Sequence, residues 1–210
     1  MSIDKAMHFL RHLPLGSIFD EDRDPIPEEK DLGPADEIWL PADDRQSKAA
    51  IEFMRPIKET DQIWDLGSGD GRLLIAMAIA YGAKCVGVEI NYNLYKRSIA
   101  MAEVAKMDHL VSFRHADFKT LTDLGDATVV FLHLWPEVNE KLRPLLEKQL
   151  RPGSRVISLD YNFNAWPHES RRVRYTNAEF DIIREWRIGQ DGRPVNWLVQ
   201  GAHDPVESLA

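Results

Sequence analysis

The sequence predicts an α/β fold with a doubly wound, mostly parallel sheet of seven strands that ends in a C-terminal antiparallel hairpin. Between residues 62 and 159, short apolar runs typical of buried strands alternate with longer segments of helical periodicity. Residues 180–188 and 195–199 then alternate apolar and polar side chains on either side of a turn, which is typical of a hairpin. Alternating strands and helices favour a parallel sheet with helices on both faces, and the hairpin ends that sheet with antiparallel strands.

The N-terminal region differs in composition from the rest of the chain. Residues 1–15 can form a short amphipathic helix with its apolar side chains on one side. Residues 16–36 hold prolines and glycines among many acids, which indicates an irregular acidic connection. We therefore expect an N-terminal helix with an acidic irregular extension over residues 1–38, followed by one domain over residues 39–210.

The first helix of that domain has a clear N-terminal signal. Asp43 is expected to be its N-cap, with Gln46 at the capping-box position, and Pro56 ends the helix at the residue before it. The elements that follow alternate in type. In chain order they are predicted at residues 62–66 (strand), 72–81 (helix), 84–89 (strand), 91–107 (helix), 111–115 (strand), 128–133 (strand), 136–150 (helix) and 154–159 (strand). Pro136 suits the first turn of its helix, whereas Pro144 is expected to kink it.

Composition and charge narrow the classes of function. The net charge is −8, from 26 basic and 34 acidic side chains, and seven of the acids lie between Asp20 and Asp31. Neither that segment nor the rest of the chain has the basic excess that binding to a phosphate backbone usually requires, so a nucleic-acid substrate is disfavoured. No apolar run approaches the roughly 20 residues that a membrane-spanning helix needs.

Cys85 is the only cysteine in the sequence. An intrachain disulfide and a cysteine-rich zinc site are therefore excluded, and we predict no metal site. A lone cysteine is typical of a reducing compartment, and Asp4 and Lys5 interrupt the apolar stretch that a signal peptide requires. We therefore expect a cytoplasmic protein.

A glycine-rich turn follows the first predicted strand of the sheet. It reads Asp65-Leu66-Gly67-Ser68-Gly69-Asp70-Gly71, and such a strand–turn–helix is typical of a nucleotide-type site at the carboxyl edge of a sheet. The last glycine of the dinucleotide fingerprint is replaced here by Arg72. A pyrophosphate would be repelled by Asp65 and Asp70, whereas a ligand that carries an ammonium and a sulfonium would not be. The turn therefore favours a cationic ligand.

Acids also follow the next two strands. Glu89 ends the second strand, where a carboxylate can accept hydrogen bonds from both hydroxyl groups of a ribose. Asp117 follows the third strand and is placed to accept a hydrogen bond from an adenine amino group, and Phe118 can flank the ring. Each acid comes after its own strand, so all of them are expected to meet at one edge of the sheet.

This arrangement resembles the class I S-adenosylmethionine-dependent methyltransferases across about residues 40–200. The resemblance implies a Rossmann-like methyltransferase fold and S-adenosyl-L-methionine as the cofactor. It also implies which residues of the sheet edge bind that cofactor, namely Asp65, Gly67, Ser68, Gly69, Glu89, Asp117 and Phe118.

Three further stretches are similar to the non-SET protein-lysine methyltransferases, including those that modify histones and an ATP synthase subunit. The Trp39-Leu40-Pro41 segment resembles their aromatic-x-Pro loop, and the resemblance implies that Trp39, Pro41 and Asp43 close over the cofactor. Residues 135–142 resemble the Pro-Glu-Val segment of the histone enzymes, and residues 151–158 are also similar. This likeness implies a lysine side chain of a protein as the methyl acceptor.

Other acceptors remain open at this stage. The Asn- or Asp-Pro-Pro-aromatic run of adenine and glutamine methyltransferases is absent after the fourth strand, and Cys85 lies inside a strand, where it cannot act as a nucleophile on cytosine. The sequence departs from the lysine enzymes at Trp39, where they carry Tyr, and at His133-Leu134, where the histone enzymes are rich in Asn. A small-molecule N- or O-methyltransferase is therefore the alternative.

The acceptor is expected at the carboxyl ends of the fourth and fifth strands, because ligands of open α/β sheets bind outside those ends. The candidate catalytic residues come from this edge of the sheet, and they are His133, Trp135, Tyr161 and Asn162. Aromatic rings there can guide a cation, and His133 can orient the acceptor amine or remove its proton.

Overall fold

The computed structural model describes residues 3–11, 41–124, 126–166, 171–174 and 180–196. Within these ranges lie five α-helices, one short 3-10 helix and eight strands. In chain order they are α1 (Ile3–Arg11), α2 (Asp44–Phe53), β1 (Gln62–Leu66), α3 (Arg72–Tyr81), β2 (Lys84–Glu89), α4 (Tyr92–Val104), β3 (Val111–His115), the 3-10 helix (Phe118–Thr120), β4 (Val129–Leu132), α5 (Pro136–Gln149), β5 (Arg155–Leu159), β6 (Arg171–Arg174), β7 (Phe180–Ile188) and β8 (Pro194–Asn196).

The strands form one mixed sheet with the order β3-β2-β1-β4-β5-β7-β6, and β8 also pairs with β7. The first five strands pair in parallel, whereas β7 is antiparallel to β5, β6 and β8. The strand order reverses between β1 and β4, and such a switch point opens a crevice at the carboxyl edge of a sheet. The register places Asp65 of β1 beside Gly87 of β2 and Phe131 of β4.

The predicted count of seven strands is wrong by one, because the described residues contain eight. The additional strand is β6, which pairs with residues 180–183 of β7. Its sequence, Arg-Arg-Val-Arg, has no apolar alternation, so its strand conformation comes from pairing with the open edge of β7 rather than from its own pattern. The C-terminal hairpin is confirmed as β7 and β8, and residues 197–199 of its predicted second strand lie outside the described residues.

Most predicted bounds agree with the structure. β1, α3, β2 and β3 begin and end at the predicted residues. α4 is shorter than predicted, because Asn91 caps it through bonds from the N–H groups of Asn93 and Leu94, and the helix ends at Val104. α5 runs through Pro144 as one continuous helix. Asp43 caps α2 with the predicted capping box.

The core has two layers, one on each face of the sheet. The first layer contains α1, α2, α3 and α4, and seven of the ten residues of α3 are buried in it, as expected for a helix that is apolar on nearly all sides. The second layer contains α5 and the aromatic residues Phe163, Trp166 and Trp186. Side chains of β1 alternate between the layers, so Ile63 faces the first layer and Trp64 the second.

Candidate active site

The turn after β1 depends on glycine for its backbone conformation. Gly67, Gly69 and Gly71 have φ angles of +90°, +57° and +77°, in the left-handed region that favours glycine. The N–H groups of Gly67 and Ser68 both donate to the carbonyl of Val88, at 2.8 and 3.1 Å. These bonds fold the turn across the end of β2 and bring its backbone to the crevice between β1 and β4.

Neighbouring side chains also limit the space at two of these residues. A Cβ atom on Gly71 would lie 2.5 Å from the ring of Phe113 and 2.8 Å from Cβ of Ser98. A Cβ atom on Gly67 would lie 2.8 Å from the Leu134 side chain, which follows β4. The turn is therefore enclosed by neighbouring elements as well as strained for any other residue.

Glu89 lies at the end of β2 and is buried, with 6% of its surface exposed. Its two carboxylate oxygens accept hydrogen bonds from the N–H groups of Gly69 and Asn91, each at 2.8 Å. Burial raises the pKa of Glu89, and these two N–H donors oppose the shift. Glu89 thus ties the glycine turn to β2, and each oxygen keeps a lone pair for a further donor.

Asp65 lies on the neighbouring strand β1 and is also buried. Burial, and secondarily the charge of Glu89, raises the pKa of Asp65 to about 7. Two carboxyl groups are thus desolvated close together at one end of the sheet. Two buried carboxyl groups fit a ligand that brings an ammonium group and hydroxyl donors, as S-adenosyl-L-methionine does.

Asp70 does not contribute to this acidic environment. Arg72 donates to it, with Nε 2.9 Å from Oδ2, and Arg97 Nε lies 3.9 Å from the same oxygen. The expected repulsion of a pyrophosphate by Asp70 is therefore wrong, because two guanidinium groups balance its charge. Asp65 and Glu89 supply the negative charge of the crevice instead.

The residues after β3 lie beside the glycine turn. The Asp117 side chain accepts a hydrogen bond from the Lys119 N–H at 2.8 Å and caps the short 3-10 helix. Phe118 is buried, and its ring lies 3.8 Å from the position of a Cβ atom on Gly67. Phe118 thus lines the crevice, and Asp117 is half-buried at its border.

An aromatic cluster follows β4 and β5, as the sequence predicts. The ring centroids of Trp135 and Tyr161 are 5.1 Å apart, and those of His133 and Tyr161 are 6.3 Å apart with nearly parallel planes. All three side chains are half-buried. The main-chain carbonyl of Asn162 accepts a 3.5 Å hydrogen bond from the side chain of Asn139, which is buried on α5. The structure therefore brings the predicted acceptor residues together at one edge.

Asp160 also lies at this edge, although no sequence pattern identified it as a site residue. Its Oδ2 atom is 3.5 Å from His133 Nε2 and accepts a 3.1 Å hydrogen bond from Gln46 Nε2 of α2. Its position in the sequence could have indicated a site residue, because Asp160 directly follows β5 just as Glu89 ends β2. The contact with Gln46 spans 114 residues, so no local pattern could predict it.

The predicted closing segment is described only in part. Trp39 lies outside the described residues, and Pro41 and Asp43 are exposed just before α2. Among the described residues, no group of three His, Cys, Asp or Glu side chains could hold a metal ion. The same part of the chain contains no helix with the length and apolar character that crossing a membrane requires.

This topology and crevice define the class of the protein: it is a class I S-adenosylmethionine-dependent methyltransferase. Residues 65–170 match the ANTKMT methyltransferase domain, and the chain belongs to that family. The class, the fold and the cofactor expected from the sequence are thereby confirmed.

Several known proteins are similar over most of the chain. A protein-lysine N-methyltransferase of Saccharolobus islandicus is 34% identical over 69% of this chain and 89% of its own length. A mouse lysine N-methyltransferase, named for the ATP synthase subunit that it modifies, is 28% identical over 77% of this chain and 64% of its own length. A solved structure described as an RNA methyltransferase from Salinibacter ruber, in complex with S-adenosyl-L-homocysteine, is 38% identical with a TM-score of 0.65, over 72% of this chain and 95% of that chain.

Proposed function

We propose that this methyltransferase transfers the methyl group to the ε-amine of a lysine in a protein substrate. The observation that carries the proposal is the aromatic cluster of His133, Trp135 and Tyr161 beside the carboxylate of Asp160. Aromatic faces and a nearby carboxylate attract an alkylammonium group. Because the pocket is partly buried, it also removes water from the amine, and this desolvation favours the neutral form of the amine.

A lysine acceptor must lose a proton before it can react. With an ordinary pKa of about 10.4, deprotonation at pH 7 costs roughly 4–5 kcal/mol unless the site assists. A half-buried aromatic pocket lowers this cost because it desolvates the cation. The remaining requirement is that the nitrogen is aligned with the methyl carbon, which positioning by the cluster can satisfy.

The named relatives support the same acceptor. Both the Saccharolobus and the mouse proteins carry the name of a lysine methyltransferase. The Salinibacter ruber structure is described as an RNA methyltransferase, so RNA is the acceptor that a labelling experiment must distinguish from protein. The net charge of −8 does not favour an RNA substrate, since RNA binding relies on basic residues along the phosphate backbone.

We propose that the residues of the crevice bind the cofactor. Asp65 faces the ammonium group, Glu89 accepts from the ribose hydroxyl groups, and the glycine turn of Gly67, Ser68 and Gly69 allows close approach. Asp117 and Phe118 bind the adenine, and the segment with Trp39, Pro41 and Asp43 closes over the site. When bound, S-adenosyl-L-methionine supplies an electrophilic methyl group on its sulfonium.

The acceptor class is tested with methyl-labelled S-adenosyl-L-methionine and a cell extract. We expect label in acid-precipitated, protease-sensitive material, and we expect acid hydrolysis of that material to release labelled methyl-lysine. Label in the small-molecule fraction would instead support the alternative of a small-molecule methyltransferase. Label that ribonuclease releases would support RNA. Either result would contradict the lysine proposal.

The role of Glu89 is tested with Glu89→Gln, and Glu103→Gln on the exposed face of α4 is the control. Loss of the charge weakens hydrogen bonds that are worth about 1.5–3 kcal/mol each, so affinity for S-adenosyl-L-homocysteine should fall at least about tenfold. Calorimetric titration measures this change. Unchanged affinity in a folded Glu89→Gln protein would remove Glu89 from the cofactor site.

A further inference from the structure

Asp160 has a left-handed backbone conformation, although the end of a strand does not require one. It follows the last residue of β5, and its φ angle of +65° lies in the left-handed region. Residues other than glycine adopt this conformation at a cost in free energy, and such residues are concentrated at functional sites. Asp and Asn tolerate it better than other residues, which fits the presence of Asp here.

Neighbouring groups hold Asp160 in place. Arg184 of β7 donates from Nη1 to the Asp160 carbonyl at 2.8 Å, and the Tyr161 N–H donates to the Leu159 carbonyl at 2.8 Å. The charge of Asp160 also acts on Tyr161. Burial is the main cause that raises the pKa of Tyr161, and the negative charge of Asp160 raises it further. The carboxylate is thus presented at the acceptor edge by a fixed backbone.

One oxygen of the Asp160 carboxylate accepts a hydrogen bond from Gln46 and also lies close to His133. Gln46 Nε2 lies 3.1 Å from Oδ2, and His133 Nε2 lies 3.5 Å from the same atom. The orientation of the Gln46 amide follows from its other contact, because the Asp43 N–H donates to Gln46 Oε1 at 3.1 Å. Only one amide orientation satisfies both contacts, so the capping box of α2 directs an N–H group at Asp160.

The proton positions on His133 follow from this arrangement. A carboxylate only accepts hydrogen bonds, so the nitrogen that faces it, Nε2, carries the proton in the neutral imidazole. Nδ1 then has the free lone pair. The contact between Asp160 and His133 is long for a hydrogen bond, and catalytic contacts of this kind often shorten when the substrate binds.

From these contacts we propose that Asp160 is a positioning residue that keeps the His133 proton on Nε2, so that Nδ1 accepts a proton from the methyl acceptor. In this step one N–H bond of the acceptor ammonium breaks, its electron pair stays on the nitrogen, and the proton bonds to Nδ1. The amine nitrogen is then free to attack the methyl carbon. This inference rests on the proposed amine acceptor, but the tautomer of His133 can be tested without any acceptor.

The tautomer is read from two-bond ¹H–¹⁵N spectra of the histidine side chains in the ligand-free protein. The chain has seven histidines, and the signal that disappears in His133→Gln identifies His133. We expect the neutral ring to carry its proton on Nε2 in the wild type and in the control Asp126→Asn. Asp126 is a suitable control because it also accepts from a glutamine side chain, that of Gln62, at the opposite end of the sheet.

In Asp160→Asn the preference for the Nε2 proton should weaken or reverse. Asn is chosen because it also tolerates the left-handed backbone, so the turn after β5 is expected to remain folded. A wild-type spectrum with the proton on Nδ1 would overturn the inference whatever the acceptor proves to be. If the acceptor is not lysine but His133 still carries its proton on Nε2, the role of Asp160 holds and only the identity of the acceptor changes.

A double-mutant cycle tests whether Asp160 acts through His133. With saturating cofactor and extract protein as the acceptor, the initial rate should fall about tenfold in Asp160→Asn and about a hundredfold in His133→Gln, as expected for loss of a general base. The double variant should be no slower than His133→Gln, because both changes remove the same function. Independent, multiplying effects would contradict a positioning role, as would a wild-type rate in Asp160→Asn.

Discussion

At the ends of β1 and β2 the site is formed by buried carboxylates and main-chain groups, whereas at the ends of β4 and β5 it is formed by half-buried side chains. Glu89 is held by N–H groups of the turn and of the start of α4. Asp160 is held by side chains of α2 and β7, which are far apart in the chain. The first region is the proposed cofactor half and the second the proposed acceptor half.

This difference between the cofactor half and the acceptor half indicates how one fold can act on different substrates. In the cofactor half, function and folding depend on the same backbone turn, so substitutions there should disturb both. In the acceptor half, the aromatic side chains contact one another and are only half-buried, so we expect their substitution to disturb the fold less.

The largest effect is expected at the glycine turn. Gly71→Ala introduces a Cβ atom 2.5 Å from the Phe113 ring at a left-handed φ of +77°. The backbone conformation costs about 1–2 kcal/mol and the overpacking about 1–3 kcal/mol, so the free energy of unfolding should fall by roughly 2–5 kcal/mol. Urea unfolding measures this change.

Gly153→Ala is the matched control for the steric part. Gly153 has a similar φ of +88°, but a Cβ atom there would meet nothing within 4 Å. Its cost should therefore be limited to the backbone contribution of about 1–2 kcal/mol. Equal losses in Gly71→Ala and Gly153→Ala would show that the packing around the turn is not tight.

A pH effect is expected from Asp65 in the cofactor half. Its pKa is raised to about 7 in the folded protein, so the folded state binds a proton that the unfolded state releases above about pH 4. The stability attributable to Asp65 is therefore greatest below about pH 4 and decreases as the pH rises to about 7, by at most about 1.4 kcal/mol per pH unit.

Asp65→Asn should remove this part of the pH dependence, as measured by urea unfolding between pH 5 and pH 8. Affinity of the wild type for S-adenosyl-L-homocysteine should rise over the same range, because the ionised carboxylate attracts the ligand's ammonium group. Identical pH profiles for the wild type and Asp65→Asn would contradict the raised pKa.

The smallest change in cofactor binding is expected from the acceptor half. Trp135→Ala and Tyr161→Phe should lower turnover, because both side chains belong to the aromatic cluster that is proposed to hold the acceptor. Affinity for S-adenosyl-L-homocysteine should stay within about threefold, which corresponds to roughly 0.7 kcal/mol. Calorimetry and the label-transfer rate measure the two quantities. A large loss of cofactor affinity would place these rings in the adenosine pocket instead.

Much of the fold and of the cofactor half could be predicted from the sequence. β1, α3, β2 and β3 were predicted with their observed bounds, because their apolar periodicity and flanking glycines act over a few residues. The glycine turn and the acids at the strand ends were found for the same reason. The role of Asp70 was misjudged although its partner Arg72 lies only two residues away, and the approach of Arg97 depends on how α4 packs.

Local backbone preferences and side-chain periodicity are sufficient to set the alternation of strands and helices, the turn after β1 and the residues that reach the carboxyl edge. The tertiary structure alone decided that Arg171–Arg174 is a strand, since it needs the open edge of β7. It alone also decided that Gln46, His133 and Asp160 meet, because contacts between α2, β4 and β5 depend on helix packing over a finished sheet.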